Sequence, residues 1–140
     1  MVKAWVIATV HASAPEVWDL VGDFGTIGKW LPAVAESRCE GQGIGMLRRL
    51  RLVNGGTLVE RLEDMNDAER FYSYRIIEGS LPVRDYYATL WVRSAYDAPS
   101  CTVEWSGAFL PRNVPDTDAR MVIQSIYQAG IDNLRAKLEA

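Results

Sequence analysis

Residues 46–62 alternate apolar and polar side chains on either side of a turn signal, Asn54-Gly55-Gly56. Successive side chains of a strand point to opposite faces, so the pattern predicts a β-hairpin with one apolar face and one charged face. An apolar face of this kind is typical of a cavity wall. By parity it carries Met46, Arg48, Leu50, Leu52, Leu58, Glu60 and Leu62.

One arginine and one glutamate interrupt this apolar face. A three-residue loop with glycine at its positive-φ position would pair Val53 with Thr57 and place the even-numbered residues of both strands on one side. That register brings Arg48 and Glu60 together on the inside. Ionisable groups on a buried wall are costly unless they pair or meet a polar ligand, so both are candidate functional residues.

The size and charge of the chain favour one globular domain, residues 1–140, without nucleic-acid binding. A chain of 140 residues with 49% hydrophobic composition can bury one substantial core. The net charge is −3, and the one basic cluster lies at residues 48–51. A strand sends Arg48 inward and Arg49 and Arg51 outward, so the cluster forms no continuous surface for phosphates.

The cysteine, histidine and glycine patterns predict no cofactor and no metal. Cys39 and Cys101 lack metal-ligand spacing, and His11 has no acidic partner or nucleophile near it in sequence. The glycine-rich segment 41–45 lacks the Lys-Ser/Thr of a phosphate loop. The chain shows neither a signal-peptide pattern nor an apolar run of 18 residues. We therefore expect a cytoplasmic protein without an integral membrane segment.

The N-terminal part of the sequence predicts a strand followed by two short helices. Residues 2–11 alternate, with small apolar side chains at the even positions. Ser13 is predicted to cap the first helix, and Glu16 completes a capping-box pattern. A second short helix is expected within residues 23–31, where Pro32 ends it.

Six further strands and a long helix complete the predicted architecture. Strand signals follow one another over residues 33–109, which predicts an antiparallel meander. A helix is predicted over 118–138, capped by Asp116 or Thr117. Gly130 in this helix indicates close approach of another backbone or of a ligand, or is simply tolerated. The breaks between strands fall at 41–45, 54–56, 66–69, 79–82 and 95–100.

Aromatic side chains are abundant on the predicted inner rows. The chain contains five Trp, six Tyr and three Phe. This is more aromatic surface than a minimal core requires, so the rings either form the core or line an internal pocket. The inward aromatic residues of the later strands and the last helix are Tyr72, Tyr74, Tyr86, Trp105, Phe109 and Tyr127.

The order of elements is that of the helix-grip fold. We predict an α+β protein with a seven-stranded curved antiparallel sheet wrapped around a long C-terminal helix, and with two short helices between strands 1 and 2. Short motifs along nearly the whole chain support this order: Ala14-Pro15-Glu16-Val17-Trp18, Asp23-Phe24, Trp30-Leu31-Pro32, Gly45-Met46-Leu47-Arg48-Arg49-Leu50, Val59-Glu60-Arg61-Leu62, Tyr72-Ser73-Tyr74 and Thr102-Val103-Glu104-Trp105. With these motifs the chain resembles the polyketide cyclase/dehydrase-like branch of the SRPBCC superfamily, which includes START and birch-pollen-allergen proteins.

The resemblance implies an internal pocket for a hydrophobic or aromatic small molecule of lipid, polyketide or isoprenoid type. In the family, the first sheet hairpin, the segment around Trp30 and the long helix line this pocket. Cyclases, hydrolases, carriers and receptors share the fold, so it does not select one reaction. Together with strand parity, the resemblance predicts the ligand-binding residues Trp30, Arg48, Leu50, Glu60, Tyr72, Tyr74, Tyr86, Trp105, Phe109 and Tyr127.

The sequence leaves three functions open. In a small-molecule-binding protein, Arg48 and Glu60 would orient a polar head group. In a cyclase or dehydratase without metal, Glu60 would act as general base while Arg48 stabilises an enolate. In a protein-partner module the cavity would be vestigial. The alternative to both ligand anchoring and catalysis by Arg48 and Glu60 is a structural ion pair satisfied by tyrosine hydroxyls or water. Outward-facing Trp5, Tyr87 and Trp91 suggest an apolar patch for a homodimer.

Overall fold

The computed structural model describes residues 1–95 and 99–139 and, within them, shows one sheet, two α-helices and a short 3-10 helix. In chain order the elements are β1 (Val2–Val10), α1 (Ala14–Val21), the 3-10 helix (Phe24–Lys29), β2 (Val34–Glu40), β3 (Leu47–Leu52), β4 (Thr57–Asn66), β5 (Phe71–Gly79), β6 (Val83–Ser94), β7 (Cys101–Pro111) and α2 (Asp116–Leu138). The seven strands pair antiparallel in the order β1-β7-β6-β5-β4-β3-β2. The predicted helix-grip order is therefore confirmed.

The predicted break at 95–100 falls mainly on residues 96–98, which lie outside the described residues. Within the described ranges, no helix combines the length and the apolar character needed to cross a membrane. The cytoplasmic location stays a prediction.

Side-chain alternation places one row of β1, β6 and β7 against the core. The even-numbered residues of β1 face inward, as do those of β6 from Tyr86 to Val92, while β7 buries its odd-numbered residues. These are the rows that the sequence predicts, because the two-residue period of a strand needs no tertiary information. The buried aromatic residues include all six predicted ones: Tyr72, Tyr74, Tyr86, Trp105, Phe109 and Tyr127.

The first short helix begins at its predicted cap, and the second lies within the predicted residues 23–31. The Ser13 hydroxyl accepts a hydrogen bond from the Glu16 backbone N–H at 3.3 Å and donates to the Glu16 carboxylate at 3.0 Å. Asp23 caps the 3-10 helix by accepting from the Gly25 backbone N–H at 3.0 Å. This helix ends at Lys29, three residues before Pro32. It carries Phe24 and Ile27 into the core beneath the sheet.

Helix α2 begins earlier than predicted and without the predicted cap. Pro115 occupies the N-cap position and makes no side-chain capping bond, so the prediction of Asp116 or Thr117 as the cap is wrong. Asp116 and Asp118 instead lie in the first turn, where their negative charges interact favourably with the helix dipole. Proline suits this boundary because its fixed φ leads the chain into the helix.

Side chains of α2 cover the exposed edge of β1. Gln124 accepts a hydrogen bond from the Trp5 backbone N–H at 2.9 Å and donates to the Trp5 carbonyl at 2.6 Å. Arg135 donates to the carbonyl of Thr9 at 3.0 Å and 3.2 Å. These bonds satisfy backbone groups of an edge strand that would otherwise pair with other chains. They also hold α2 in place over the inner face of the sheet.

The β3–β4 hairpin has the predicted parity but a different register. The pair that closes the loop is Leu52 and Gly56, with the Leu52 N–H donating to the Gly56 carbonyl at 2.8 Å. Gly55 has a φ of 90° and ends a three-residue loop, so the predicted pairing of Val53 with Thr57 is wrong. The observed pairing is shifted from the predicted one by two residues along the partner strand. Because this shift is an even number, the same side chains still face inward.

Candidate ligand-binding site

A buried ion pair lies at the centre of the β3–β4 inner face. Arg48 and Glu60 are direct cross-strand partners, and their side chains are 0% and 6% exposed. The Arg48 Nε donates to the Glu60 carboxylate at 2.7 Å, and its Nη1 donates to the Phe24 carbonyl at 2.9 Å. The guanidinium also lies over the Phe24 ring, 3.9 Å from its centroid. The sequence-based placement of both groups inside is confirmed.

Burial and pairing act in opposite directions on the two ionisable groups. Burial raises the pKa of Glu60, and the positive charge of Arg48 offsets only part of that increase. For Arg48, burial lowers the pKa, but the Glu60 charge and the Tyr72 and Tyr74 phenols outweigh it, and the net pKa is raised. Arg48 therefore stays charged in the core, and Glu60 holds its proton more tightly than an exposed carboxyl does.

The raised pKa of Glu60 predicts that its contribution to stability decreases as the pH rises. The folded chain binds the Glu60 proton more tightly than the unfolded chain. The resulting stabilisation is complete below the unfolded pKa, about 4.3, and is lost as the pH rises through the folded pKa. Urea unfolding of the wild type and of Arg48→Met/Glu60→Leu from about pH 4 to about pH 8 measures this effect. The stability of the wild type relative to the double variant should fall with pH, and a constant difference would contradict the assignment.

Three tyrosine hydroxyls form a second polar group on the inner face. The Trp105 indole N–H donates to the Tyr74 hydroxyl at 3.1 Å. The Tyr74 and Tyr86 hydroxyls are 3.0 Å apart, and the Tyr86 hydroxyl is also hydrogen-bonded to that of Tyr127. Burial raises the pKa of all three phenols, so they remain protonated at neutral pH. We call Tyr74, Tyr86 and Tyr127 the tyrosine chain.

Two glycines and a stacked indole position Tyr127 from α2 against the sheet. The Trp105 and Tyr127 rings stack with centroids 4.1 Å apart and an interplanar angle of 14°. A Cβ at Gly107 would overlap the Tyr127 hydroxyl. A Cβ at Gly130 would lie 2.8 Å from Leu31 and 3.2 Å from the Trp105 ring. The close approach predicted at Gly130 is therefore made by side chains of the protein and not by another backbone.

A small cavity lies between the sheet and α2 and joins these features. Its volume is about 30 Å³, which is enough for roughly one water molecule. A drug-sized ligand needs roughly 300–1,000 Å³. The polar part of the wall consists of Glu60, Tyr74, Tyr86, Trp105 and Tyr127. The apolar part consists of Ile27, Leu31, Ala33, Val34, Leu50, Leu52, Leu58, Ile76, Leu81 and Ile126.

The predicted site residues divide into two groups in the structure. Leu50 and the five polar-wall residues line the cavity. The other four, Trp30, Arg48, Tyr72 and Phe109, are buried in the core around it. Arg48 and Tyr72 are linked to the wall through Glu60, because the Arg48 guanidinium bonds Glu60 and lies 3.5 Å from the Tyr72 hydroxyl. Their roles in ligand binding stay predictions.

Sequence reasoning missed the half-buried rim of the cavity, which we call the mouth. It consists of Ala33, Ile76, Leu81 and Ile126. Ile76 and Ile126 belong to predicted apolar rows, but Leu81 lies in a short loop between β5 and β6. A single leucine in a turn carries no periodic signal, so only the tertiary structure shows that it closes the cavity.

The described residues offer no metal site, and the single histidine lies at the surface. Among the described residues, His, Cys, Asp and Glu side chains form no group of three that could hold a metal ion. His11 is exposed where β1 ends. The donors and acceptors that face the cavity are thus the Glu60 carboxyl and the tyrosine chain, which suit recognition or transfer of a proton at a carbonyl group.

The chain is similar to proteins with related folds. Residues 1–139 match the profile of the family described as polyketide cyclase / dehydrase and lipid transport. The structure of XoxI from Bacillus cereus has 33% identity and a TM-score of 0.93, covering 99% of this chain and 96% of that chain. The ZhuI aromatase/cyclase from a Streptomyces species, at 21% identity and a TM-score of 0.79, covers 98% of this chain and 93% of that chain.

The chain is also similar in sequence to a receptor protein. The abscisic acid receptor PYL2 from Arabidopsis thaliana is 24% identical in an alignment 135 positions long, which covers 89% of this chain and 71% of the receptor. The profile match over almost the whole length is decisive. The protein is therefore a member of the polyketide cyclase / dehydrase and lipid transport family, within the SRPBCC superfamily.

Proposed function

We propose that the protein binds a hydrophobic small molecule of lipid, polyketide or isoprenoid type between the sheet and α2. The observation that carries this proposal is the cavity itself, which combines an apolar wall with a half-buried apolar mouth and a polar part. We call this polar part of the wall the floor; it consists of Glu60, Tyr74, Tyr86, Trp105 and Tyr127. Pockets of this composition bind apolar ligands and orient them by a few polar groups. The family membership and the similarity to an abscisic acid receptor support the same function.

Ligand binding requires the mouth to open, since the cavity holds about 30 Å³. Leu81 lies in a loop and Ile126 on the helix, and both are half-buried. We propose that these two side chains move outward when a ligand enters. The floor is fixed by the Arg48–Glu60 pair and the tyrosine chain. The proposed open form is a minor state that the ligand stabilises.

The test compares mouth variants with a surface variant. We expect Leu81→Ala/Ile126→Ala to bind 2-acetylnaphthalene or myristate about tenfold more tightly than the wild type, because the variant populates the open form more. Val53→Ala, at the exposed hairpin tip, should bind like the wild type. Isothermal titration calorimetry measures the affinities, and native mass spectrometry of protein from its own host detects a retained ligand. No binding of either probe to the wild type or the mouth variant would contradict the proposal.

The polar floor favours a second candidate function, a cyclase or dehydratase. Glu60 has a raised pKa and lines the cavity together with hydroxyl donors, which suits a general base beside a carbonyl substrate. Turnover of a candidate polyketide should collapse in Glu60→Gln while binding survives. Persistent turnover would remove Glu60 from the role of base.

The small cavity volume favours a third candidate, a module that binds protein partners. Trp5 and Tyr87 are 55% and 37% exposed on the outer face of the sheet, where they line one shallow groove. Trp91, the third residue predicted for this patch, is half-buried and contacts the Phe71 ring. A homodimer through Trp5 and Tyr87 is the partner that we propose here. Sedimentation velocity of the wild type and of Tyr87→Glu tests it, since only the wild type should dimerise.

A further inference from the structure

We infer that the tyrosine chain offers one weakly held hydroxyl hydrogen to the cavity and thereby selects ligands with a hydrogen-bond-accepting oxygen, such as a ketone, an enolate or a phenolate. The inference rests on the proposed small-molecule binding and names the polar group that the ligand must carry. It follows from the number of donors and acceptors in the chain, from the rigidity of the rings and from the charge of the surrounding wall.

Of the three hydroxyl hydrogens of the tyrosine chain, one takes no part in the two close hydrogen bonds between the tyrosines. The indole N–H of Trp105 can only donate, so the Tyr74 oxygen is an acceptor in that bond. Three phenol hydrogens remain, and the bonds Tyr74–Tyr86 and Tyr86–Tyr127 use two of them. Tyr127 and Tyr74 also share a side-chain hydrogen bond, but the close hydroxyl contacts are those that join Tyr86 to each of them. The third hydrogen belongs to whichever of the three hydroxyls donates in neither of those two bonds, and it is therefore the most weakly held.

The rings that carry these hydroxyls cannot easily turn away from the cavity. Tyr127 is stacked on Trp105 at 4.1 Å, and Tyr86 is stacked on Phe109 with centroids 5.9 Å apart. All of these side chains are buried. A donor held in this way needs little reorganisation when it meets an acceptor, so it discriminates more strongly than a flexible surface hydroxyl.

The charge of the wall favours a neutral or anionic acceptor over a cation. Glu60 is the acidic residue of the wall, and the Arg48 Nε is 2.7 Å from its carboxylate. The Arg48 charge is therefore close enough to neutralise Glu60 as a partner for an ammonium group. What remains for a ligand is the phenol donor, which the raised pKa values keep protonated.

The test uses two probes of the same shape, 2-acetylnaphthalene and 2-isopropenylnaphthalene, in which a methylene group replaces the carbonyl oxygen. In the wild type we expect the ketone to bind about tenfold more tightly, the ratio that one net hydrogen bond supplies. The preference should disappear in Tyr74→Phe/Tyr86→Phe/Tyr127→Phe. It should persist in Tyr87→Phe, a control that removes a phenol hydroxyl from the outer face of the sheet, away from the cavity.

Infrared spectroscopy of the carbonyl-labelled ketone bound to the wild type gives a second readout that needs no variant to fold. A hydrogen bond lowers the carbonyl stretching frequency below its value in an apolar solvent. Equal binding of both probes with an unshifted carbonyl band would overturn this inference alone. A preference that survives the triple variant would overturn it as well. Binding of neither probe, in the wild type and in Leu81→Ala/Ile126→Ala, would overturn the proposed function and this inference together.

Discussion

Replacing Glu60 with leucine is expected to lower the free energy of unfolding by about 3–5 kcal/mol at neutral pH. The variant leaves the Arg48 guanidinium in the core, with no exposed surface and without its carboxylate partner. The Phe24 carbonyl at 2.9 Å and the Tyr72 hydroxyl at 3.5 Å would be its remaining acceptors. Such a buried charge cannot be neutralised, because arginine does not lose its proton in proteins. Chemical denaturation with a fixed m-value measures the loss.

Two controls separate the ion pair from the loss of any side chain on these strands. Arg48→Met/Glu60→Leu removes both charges and should recover most of the lost stability, because buried pairs can be replaced by apolar residues at little net cost. Glu40→Leu breaks the pair with Arg49, which has a similar distance of 2.6 Å but lies on the solvent face with both partners half exposed. That variant should leave stability nearly unchanged. If Glu60→Leu and Glu40→Leu lowered the free energy of unfolding equally, burial of the Arg48–Glu60 pair would not be the cause of the large loss.

Trp105→Ala is expected to lower the free energy of unfolding by about 3–5 kcal/mol. The indole is almost fully buried, stacks on Tyr127 and lies 5.5 Å from the Trp30 ring. It also donates the hydrogen bond that orients Tyr74. Removing it leaves an apolar cavity that the rigid neighbours cannot fill completely. Thermal or urea unfolding gives the size of the effect.

Free indole should restore part of this stability by occupying the vacated space. At a free concentration of about 100 times its dissociation constant, a bound ligand adds about 2.7 kcal/mol. 1-Methylindole is the matched control, because it has nearly the same shape but cannot donate to Tyr74. Trp91→Ala provides a second control, since Trp91 is half-buried on β6 and points away from the cavity. Equal rescue by indole and 1-methylindole would mean that the Trp105 hydrogen bond contributes little.

Side-chain parity is the part of the site that the sequence predicts best. Arg48 and Glu60 are buried as their even positions require, and the inward aromatic rows of β5, β6 and β7 are buried as well. Parity is a local property, since neighbouring side chains of any strand alternate whatever the partner strand is. Register is less local. Either glycine of the Gly55-Gly56 pair can take a positive φ, and the structure places it at Gly55.

The start of α2 is, like the strand register, a feature that local sequence signals do not determine. Asp116 and Thr117 are good capping residues by type, but Pro115 occupies the cap position in the structure. Capping preferences contribute about 1 kcal/mol, which is less than the burial of the apolar side chains of α2 against the sheet contributes. Packing of residues such as Ile123 and Leu134 therefore decides where the helix starts relative to the strands.

The sequence by itself determined the helix-grip order, the inner rows and the identity of the two buried charges. It did so because these depend on periodicity and on the few residue types that tolerate a turn or a cap. Only the tertiary structure decided the cavity volume of about 30 Å³, the mouth at Leu81 and Ile126, and the linked hydroxyls of Tyr74, Tyr86 and Tyr127. These features depend on distances between elements far apart in the chain. Adding even a Cβ atom at Gly107 or Gly130 would change those distances.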